Sequence, residues 1–278
     1  SVFKGHLFVG DALLSDSSMR DHPLTPMTDA NLVRVLQAQC ATQKVGLVEH
    51  RVVSAGAAAV RERFAQLQQQ GVGIATLDSV DNDALLTLCE EARHVPAIAL
   101  DTEFVRTRTY HPQLGLLQLF DGQRVTLIDP LDITDWSPVR ELLQNQNVTK
   151  FLHAGSEDLE VFLKEFGVMP QPFIDTQILA AFCGRPGSWG FAPMVEEFTG
   201  LKLDKSESRT DWLARPLTGR QCDYAAADVW YLLPIAHQLL AETERAGWLA
   251  AALDECELMK KRRQESVDPQ EAWRDITN

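Results

Sequence analysis

Pro96-Ala97-Ile98-Ala99-Leu100-Asp101-Thr102-Glu103-Phe104 is the stretch on which the fold turns. An apolar run of this length, closed by acidic side chains, reads as a buried strand that ends at Asp101. Side chains alternate across a strand, so Asp101 and Glu103 leave the same face at the strand's carboxyl end. Ligands of open α/β sheets bind at that end. A solvated strand end with two incidental carboxylates is the other reading of the pair.

Outward from this strand the pattern is an α/β alternation. Gly115 to Phe120 and Val125 to Ile128 read as strands in a meander with the acidic one, and Lys150 to His153 as a further strand. Helical spacing covers Ser137 to Leu143, Glu157 to Phe166, Thr176 to Phe182, Phe191 to Thr199, Thr218 to Ala246 and Leu249 to Arg263. Upstream, a helix spans Asp83 to Arg93. The first part of the chain has a turn-rich opening through Met19 to Pro26, then a helix through Asn31 to Leu36 capped by Thr28 or Asp29. Val45 to Val48 and Val72 to Leu77 read as strands around a helix from Ala57 to Gln70. The expected fold class is α/β, a mixed sheet flanked by helices with an additional N-terminal α/β fragment. The two stretches meet near residues 75–83 without a glycine- or serine-rich linker.

Two more segments add acidic groups. Lys150-Phe151-Leu152-His153-Ala154-Gly155-Ser156-Glu157-Asp158 reads as a strand turning at Gly155 into a helix capped by Ser156. Asp158 then lies in the first helical turn, where it complements the helix dipole or serves as a ligand. Tyr224-Ala225-Ala226-Ala227-Asp228 puts a phenol and a carboxylate at i and i+4 on one helix face. The two can simply bond to one another, and the alanines between them suit close packing on a sheet. Asp101, Glu103, Asp158 and Asp228, from three separated elements, make the oxygen-rich set that two hard divalent cations, Mg²⁺ or Mn²⁺, require. Two such ions about 4 Å apart activate a water at a phosphorus centre. Tyr224 would orient that water, and its ordinary pKa of about 10 leaves most of the acidification to the metal. Asp175, ahead of Thr176, reads as a helix cap rather than a fifth ligand.

Composition bounds the partners. The 278 residues carry a formal charge of −13, which argues against a protein that grips nucleic acid mainly through a basic surface. It leaves room for one that grips it through cations, since a carboxylate cluster becomes nearly neutral once they bind. Residues 1–78 carry equal numbers of basic and acidic side chains, so the whole net charge belongs to residues 79–278. Five widely spaced cysteines without a C-x-x-C pair suggest neither a disulfide framework nor a zinc site, and reduced thiols in a cytoplasm fit best. No apolar run is long enough for a membrane span, and neither a signal peptide nor an anchor is expected.

Asp101-Thr102-Glu103-Phe104, the Asp158 segment and Tyr224-x-x-x-Asp228 resemble the three exonuclease motifs of the DEDD superfamily in its tyrosine-bearing branch. From about Asp83 onward the chain resembles the catalytic domain of bacterial ribonuclease D, including residues 151–158 and Asp204-Lys205-Ser206-Glu207-Ser208-Arg209-Thr210-Asp211-Trp212. The resemblance implies a ribonuclease H-like fold, two divalent metals and release of 5′-mononucleotides from the 3′ ends of RNA such as tRNA precursors. Asp101, Glu103, Asp158 and Asp228 would be metal ligands and Tyr224 would position the water. Thr102 and Phe104 would flank the terminal nucleotide, with packing an equal account of Phe104. Members of that family continue into helical RNA-binding modules of the HRDC type, which a chain stopping at Asn278 is expected to lack. A 3′–5′ exonuclease acting on DNA is the alternative within the same chemistry, because these motifs do not read the 2′-hydroxyl.

The N-terminal stretch points elsewhere. Gly5-His6-Leu7-Phe8-Val9-Gly10-Asp11, then Met19-Arg20-Asp21-His22-Pro23-Leu24-Thr25-Pro26, resembles an internal part of four-carbon acid sugar kinases of the 3-oxo-tetronate kinase type, with similarity to about residue 78. His6, Asp11, Arg20, Asp21 and His22 stand as remnants of a sugar-acid site or as turn and capping residues. No phosphate-cradling glycine loop is visible, so kinase activity is not expected. The expected organisation is a fused, incomplete fragment over residues 1–78 and an exonuclease domain over residues 79–278. A sugar-acid binding module carrying the nuclease part as a passenger is the alternative from another class.

Overall fold

The computed structural model describes residues 2–9, 12–17, 20–21, 28–40, 42–78, 83–106, 111–131, 133–204, 206–208, 210–215 and 217–265. Most of the expected turn through Met19 to Pro26 lies outside them, as do Asp11, His22, Lys205 and Arg209. The chain divides into two compact units, Ser1–Glu91 with Asp132–Pro138, and Ala92–Leu131 with Val139–Asn278.

The first unit opens on β1 (Val2–Phe3), β2 (His6–Val9) and β3 (Ala12–Leu13), a small antiparallel sheet. It continues through α1 (Leu32–Gln39), β4 (Lys44–Val48), α2 (His50–Val53), α3 (Ala57–Gln69), β5 (Val72–Leu77) and α4 (Asp83–Ala92). β4 and β5 pair in parallel, as strands joined through helices do. Val48, Val53, Val60 and Leu67 form the buried core there. Asp78, fully buried just past β5, accepts from the backbone nitrogens of Lys4 at 2.6 Å, Gly5 at 2.7 Å and His50 at 2.9 Å. Three N–H donors replace the water that a buried carboxylate loses. The α1 cap is Asn31, whose side chain accepts from the Arg34 nitrogen at 3.0 Å, in place of the expected Thr28 or Asp29. The helix starts at Leu32, which leaves Asp29 too early to reach its free amides. Asp29 instead takes the Asn31 nitrogen at 2.9 Å and the Arg34 guanidinium.

The second unit contains β6 (Ala97–Val105), β7 (Gln113–Phe120), β8 (Val125–Ile128), α5 (Ser137–Gln144), β9 (Thr149–Leu152), α6 (Ser156–Phe166), β10 (Phe173–Asp175), α7 (Thr176–Phe182), α8 (Phe191–Thr199), α9 (Gly219–Trp230), α10 (Leu232–Arg245) and α11 (Leu249–Glu265). The five-stranded sheet runs β10-β9-β6-β7-β8. β6, β9 and β10 are mutually parallel and β7 is antiparallel to both its neighbours, so the expected mixed sheet is present with the acidic strand at its centre. α9 packs on β6, β7 and β8, and α6 packs with α11. β6 runs past Asp101 to Val105 because its pairing with β7 continues that far, so both carboxylates stand inside the strand rather than at its end.

The single helix expected from Thr218 to Ala246 is two, α9 and α10, meeting at Tyr231. Pro234 explains the break. It has no N–H for the carbonyl of Trp230, four residues back, and its ring crowds that carbonyl. The sequence offers no reading of β1, β3 and β10, because strands of two or three residues carry no usable period; β2, as long as β8 and β9, is closed at once by Gly10 and Asp11.

Gly115 admits the segment that supports the site. A Cβ built there would lie 2.6 Å from the Trp212 carbonyl oxygen and 2.8 Å from its Cβ. Arg215 clamps the same contact, donating from Nη1 to the Trp212 oxygen at 2.8 Å and from Nη2 to the Gly115 oxygen at 2.7 Å. Gly115→Ala is therefore expected to destabilise this unit by about 1–3 kcal/mol, read as a lower denaturant midpoint at an unchanged slope.

Candidate metal centre

Three elements deliver the acidic side chains. In β6, Asp101 lies opposite Gln118 and Glu103 opposite Leu116, and the strand bulges only after Glu103, so the two carboxylates keep to one face. α9 begins with a capping box between Thr218 and Gln221 and lies across the sheet. Ala225 is wholly buried against Leu116 and Trp212, a closeness that a larger side chain would prevent. Asp228, three residues on, joins the other two. Carboxylate oxygens of Asp101, Glu103 and Asp228 all lie within 4.8 Å of one another, the one such group of His, Cys, Asp or Glu among the described residues.

Asp158 comes from the first turn of α6, is buried, and stands outside that trio. Its Oδ1 accepts from the Thr102 nitrogen at 3.1 Å and from the Thr102 hydroxyl. Thr102, on the opposite face of β6 from Asp101 and Glu103, thus locks Asp158 in place. Phe104, past the bulge, is half-buried.

The start of α6 differs from the expected Ser156 cap. Gly155 is the N-cap residue and offers no side chain. Asp175, fully buried at the end of β10, instead fixes the turn that leads into the helix, accepting from the Ala154 nitrogen at 3.2 Å and the Gly155 nitrogen at 2.8 Å. The same carboxylate caps α7 through Gln177 at 2.7 Å and Ile178 at 3.4 Å, as expected. One carboxylate therefore fixes two helix starts, and it holds Ala154 in the left-handed region at φ 53°.

Burial and mutual repulsion leave these groups reluctant to ionise. Glu103 is pushed up to about 9 by burial and then by the charges of Asp228 and Asp158. Asp101 rises well above the carboxylate range, by burial and then by Asp158, Asp228 and Glu103. Asp228 reaches about 7, again through burial, although the Tyr224 hydroxyl bonded to it pulls the other way. Asp158 reaches about 6, with burial partly offset by the Thr102 hydrogen bond. Tyr224 is raised, first by burial and then by the carboxylates around it. Its ring tilts against Trp212, centroids 6.2 Å apart at 40°. A set of oxygen donors that holds protons for want of positive charge fits divalent cations of the Mg²⁺ type.

Gln118 is a site residue that the sequence reading passed over. It is fully buried, and its Nε2 approaches Asp101 Oδ2 at 3.5 Å. A lone amide among Leu116, Leu117 and Leu119, opposite the acidic strand, was the available signal. In the first unit His6 Nδ1 bonds to the Lys4 oxygen at 2.8 Å, and Arg20 and Asp21 are exposed turn residues. The five cysteines are free, and no helix among the described residues is long and apolar enough to cross a membrane.

Residues 79–244 match the model of the 3′-5′ exonuclease family, and residues 1–105 that of a sugar-binding N-terminal domain. The chain is 74% identical over 197 residues to ribonuclease D of Escherichia coli strain K12, covering 71% of this chain and 52% of that protein. The crystal structure of Escherichia coli RNase D, an exoribonuclease involved in structured RNA processing, superimposes with a TM-score of 0.69 over 71% of this chain and 53% of that one. Brucella melitensis NrnC superimposes with a TM-score of 0.59 at 26% identity, over 67% of this chain and 91% of that one. The expected ribonuclease H-like exonuclease fold is therefore present. The chain spans about half the length of the curated relatives it matches.

Proposed function

Because the chain belongs to the 3′-5′ exonuclease family, we propose that residues 79–278 remove nucleotides one at a time from the 3′ end of RNA, releasing 5′-mononucleotides. The observation that carries this reading is the convergence of the Asp101, Glu103 and Asp228 oxygens, with Asp158 close enough to raise the pKa of each of them. The similarity to ribonuclease D favours RNA over DNA, and structured RNA as its form; with it go our proposals of tRNA precursors as the substrate and the cytoplasm as the setting.

Asp101, Glu103, Asp158 and Asp228 are assigned as ligands of two divalent ions, Mg²⁺ or Mn²⁺, which when bound acidify water and neutralise charge at the scissile phosphate. Thr102 fixes the Asp158 rotamer, and Gln118 borders Asp101. Tyr224, with its pKa raised, keeps its proton at neutral pH and orients the attacking water through its hydroxyl instead of deprotonating it. Of the two residues expected to flank the terminal nucleotide, Thr102 is buried on the other face of β6 and acts through Asp158, which leaves the half-buried Phe104 as the candidate for that contact.

We read residues 1–78 as a segment similar to a sugar-binding N-terminal domain, joined to the nuclease and inert in its reaction. Saturable binding of a tetronate, or ATP-dependent phosphorylation of one, would promote that segment to a working module.

Release of labelled 5′-mononucleotide from 3′-labelled RNA, with matched DNA alongside and EDTA as control, tests the proposal. Metal-dependent release from RNA, faster than from DNA, is expected. Equal rates on both would make this a general 3′–5′ exonuclease, and silence on both from folded, metal-supplied protein would sink the assignment.

A further inference from the structure

Close to the carboxylates stands a group of cations with no part in that chemistry. Arg106 follows β6 directly, three residues beyond Glu103, and its Nη2 lies 2.7 Å from Glu160 Oε2. Arg263, near the end of α11, reaches the same oxygen with Nη1 at 3.3 Å and donates from Nε to Ser156 Oγ at 2.8 Å. His111 Nδ1 lies 3.5 Å from Glu160 Oε1. Ser156 and Asp158 share the first turn of α6, so one guanidinium is anchored within a turn of Asp158 and the other leaves the strand that bears Asp101 and Glu103.

Two guanidinium groups thus share a single carboxylate. The arginine side chains are 36% and 29% exposed and Glu160 is 14% exposed, so the cations face water and the anion lies beneath them. Glu157, in the first turn of α6, and Glu265, two residues after Arg263, are exposed acidic neighbours in sequence. A planar guanidinium fork matches the paired oxygens of a phosphodiester, and the α6 amino terminus adds partial positive charge to the same spot. In a chain of net charge −13 a polyanion needs such a place, since the cations of the metal centre offset charge only at the scissile phosphate.

We propose that Arg106 and Arg263 bind a backbone phosphate of the RNA upstream of the nucleotide being removed, with Glu160 keeping both forks aligned between substrates. This inference rests on the exonuclease reading. An incoming phosphate replaces Glu160 as the partner of the arginines, so the carboxylate is a competitor as well as a support.

The test is kcat and KM for 3′-labelled RNA across a salt series, with anisotropy of fluorescent RNA and thermal midpoints measured in parallel. Arg106→Ala and Arg263→Ala should each raise KM about tenfold, hold kcat within about threefold, and reduce the slope of log KM against log salt by about 0.7 per lost contact. Arg106→Lys should retain the slope. Glu160→Gln should lower KM, a change opposite in sign to the one that loss of a merely structural ion pair would give. KM and slope equal to the parent's in both alanine variants would overturn the proposal, as would a fall in kcat at unchanged KM, which would make the arginines supports of Asp158. Arginine- and salt-dependent binding without any nucleotide release would retain the phosphate site and overturn the exonuclease reading instead.

Discussion

Asp101→Asn should lower nucleotide release by a factor on the order of 10³ while making the metal-free protein more stable than its parent. Both effects have one cause. Asp101 is surrounded by burial and by the charges of Asp158, Asp228 and Glu103, all of which oppose its ionised form. Asparagine has the size of the protonated acid and can still accept from Gln118, so it relieves repulsion without leaving a cavity. The gain is expected at about 1–2 kcal/mol and to grow with pH, because asparagine imitates the state that rising pH takes away from the parent. Chemical unfolding of both proteins in EDTA, beside the release assay with Mg²⁺, checks the pair of effects. Loss of activity together with loss of stability would mean that the substitution disturbs the fold, and the activity result would then say nothing of the site. Activity above a tenth of the parent's would remove Asp101 from the metal centre.

The elements that carry this site were legible because each is long enough to show its period. β6 announced itself by its apolar run, α6 and α9 by helical spacing, and Asp101, Glu103, Tyr224 and Asp228 by i+2 and i+4 intervals that hold once the elements form. Local spacing does not contain what crosses between elements. That Asp175 ties the β9–α6 turn as well as capping α7 depends on β10 pairing with β9, and a strand of three residues leaves no trace of that pairing. Gln118 becomes a neighbour of Asp101 only through the antiparallel register of β6 and β7. Ser156, read as a cap from its side chain, is instead the first helical residue, and its hydroxyl accepts from Arg263, 107 residues away. The break at Tyr231 had a signal in Pro234. Uninterrupted helical spacing on both sides outweighed it, although the missing N–H takes effect four residues upstream.

Metal-free protein should lose stability as pH rises from about 5 to about 9, and saturating Mg²⁺ or Mn²⁺ should remove that loss. In an unfolded chain Asp and Glu titrate near 4. In the folded chain Asp158 is raised to about 6, Asp228 to about 7 and Glu103 to about 9, with Asp101 raised as well. Between the unfolded and folded values the native protein holds more protons than the unfolded one, so the derivative of unfolding free energy with pH is negative. This is the reverse of a salt-bridged carboxylate, whose stabilisation is present at high pH and lost on acidification. The loss across the window is expected to be on the order of a few kcal/mol, or about 10 °C in the thermal midpoint of the unit that bears the site. Cations supply the missing positive charge and bind only the folded arrangement, so the midpoint in their presence should rise with concentration and gain most at the alkaline end. A melting series in EDTA and in Mg²⁺ at pH 5, 7 and 9 reads all of this at once. Curves that run parallel with and without metal would mean that the four carboxylates are not a cation site, whereas curves that diverge toward pH 9 tie the binding of metal to the groups whose protons it displaces.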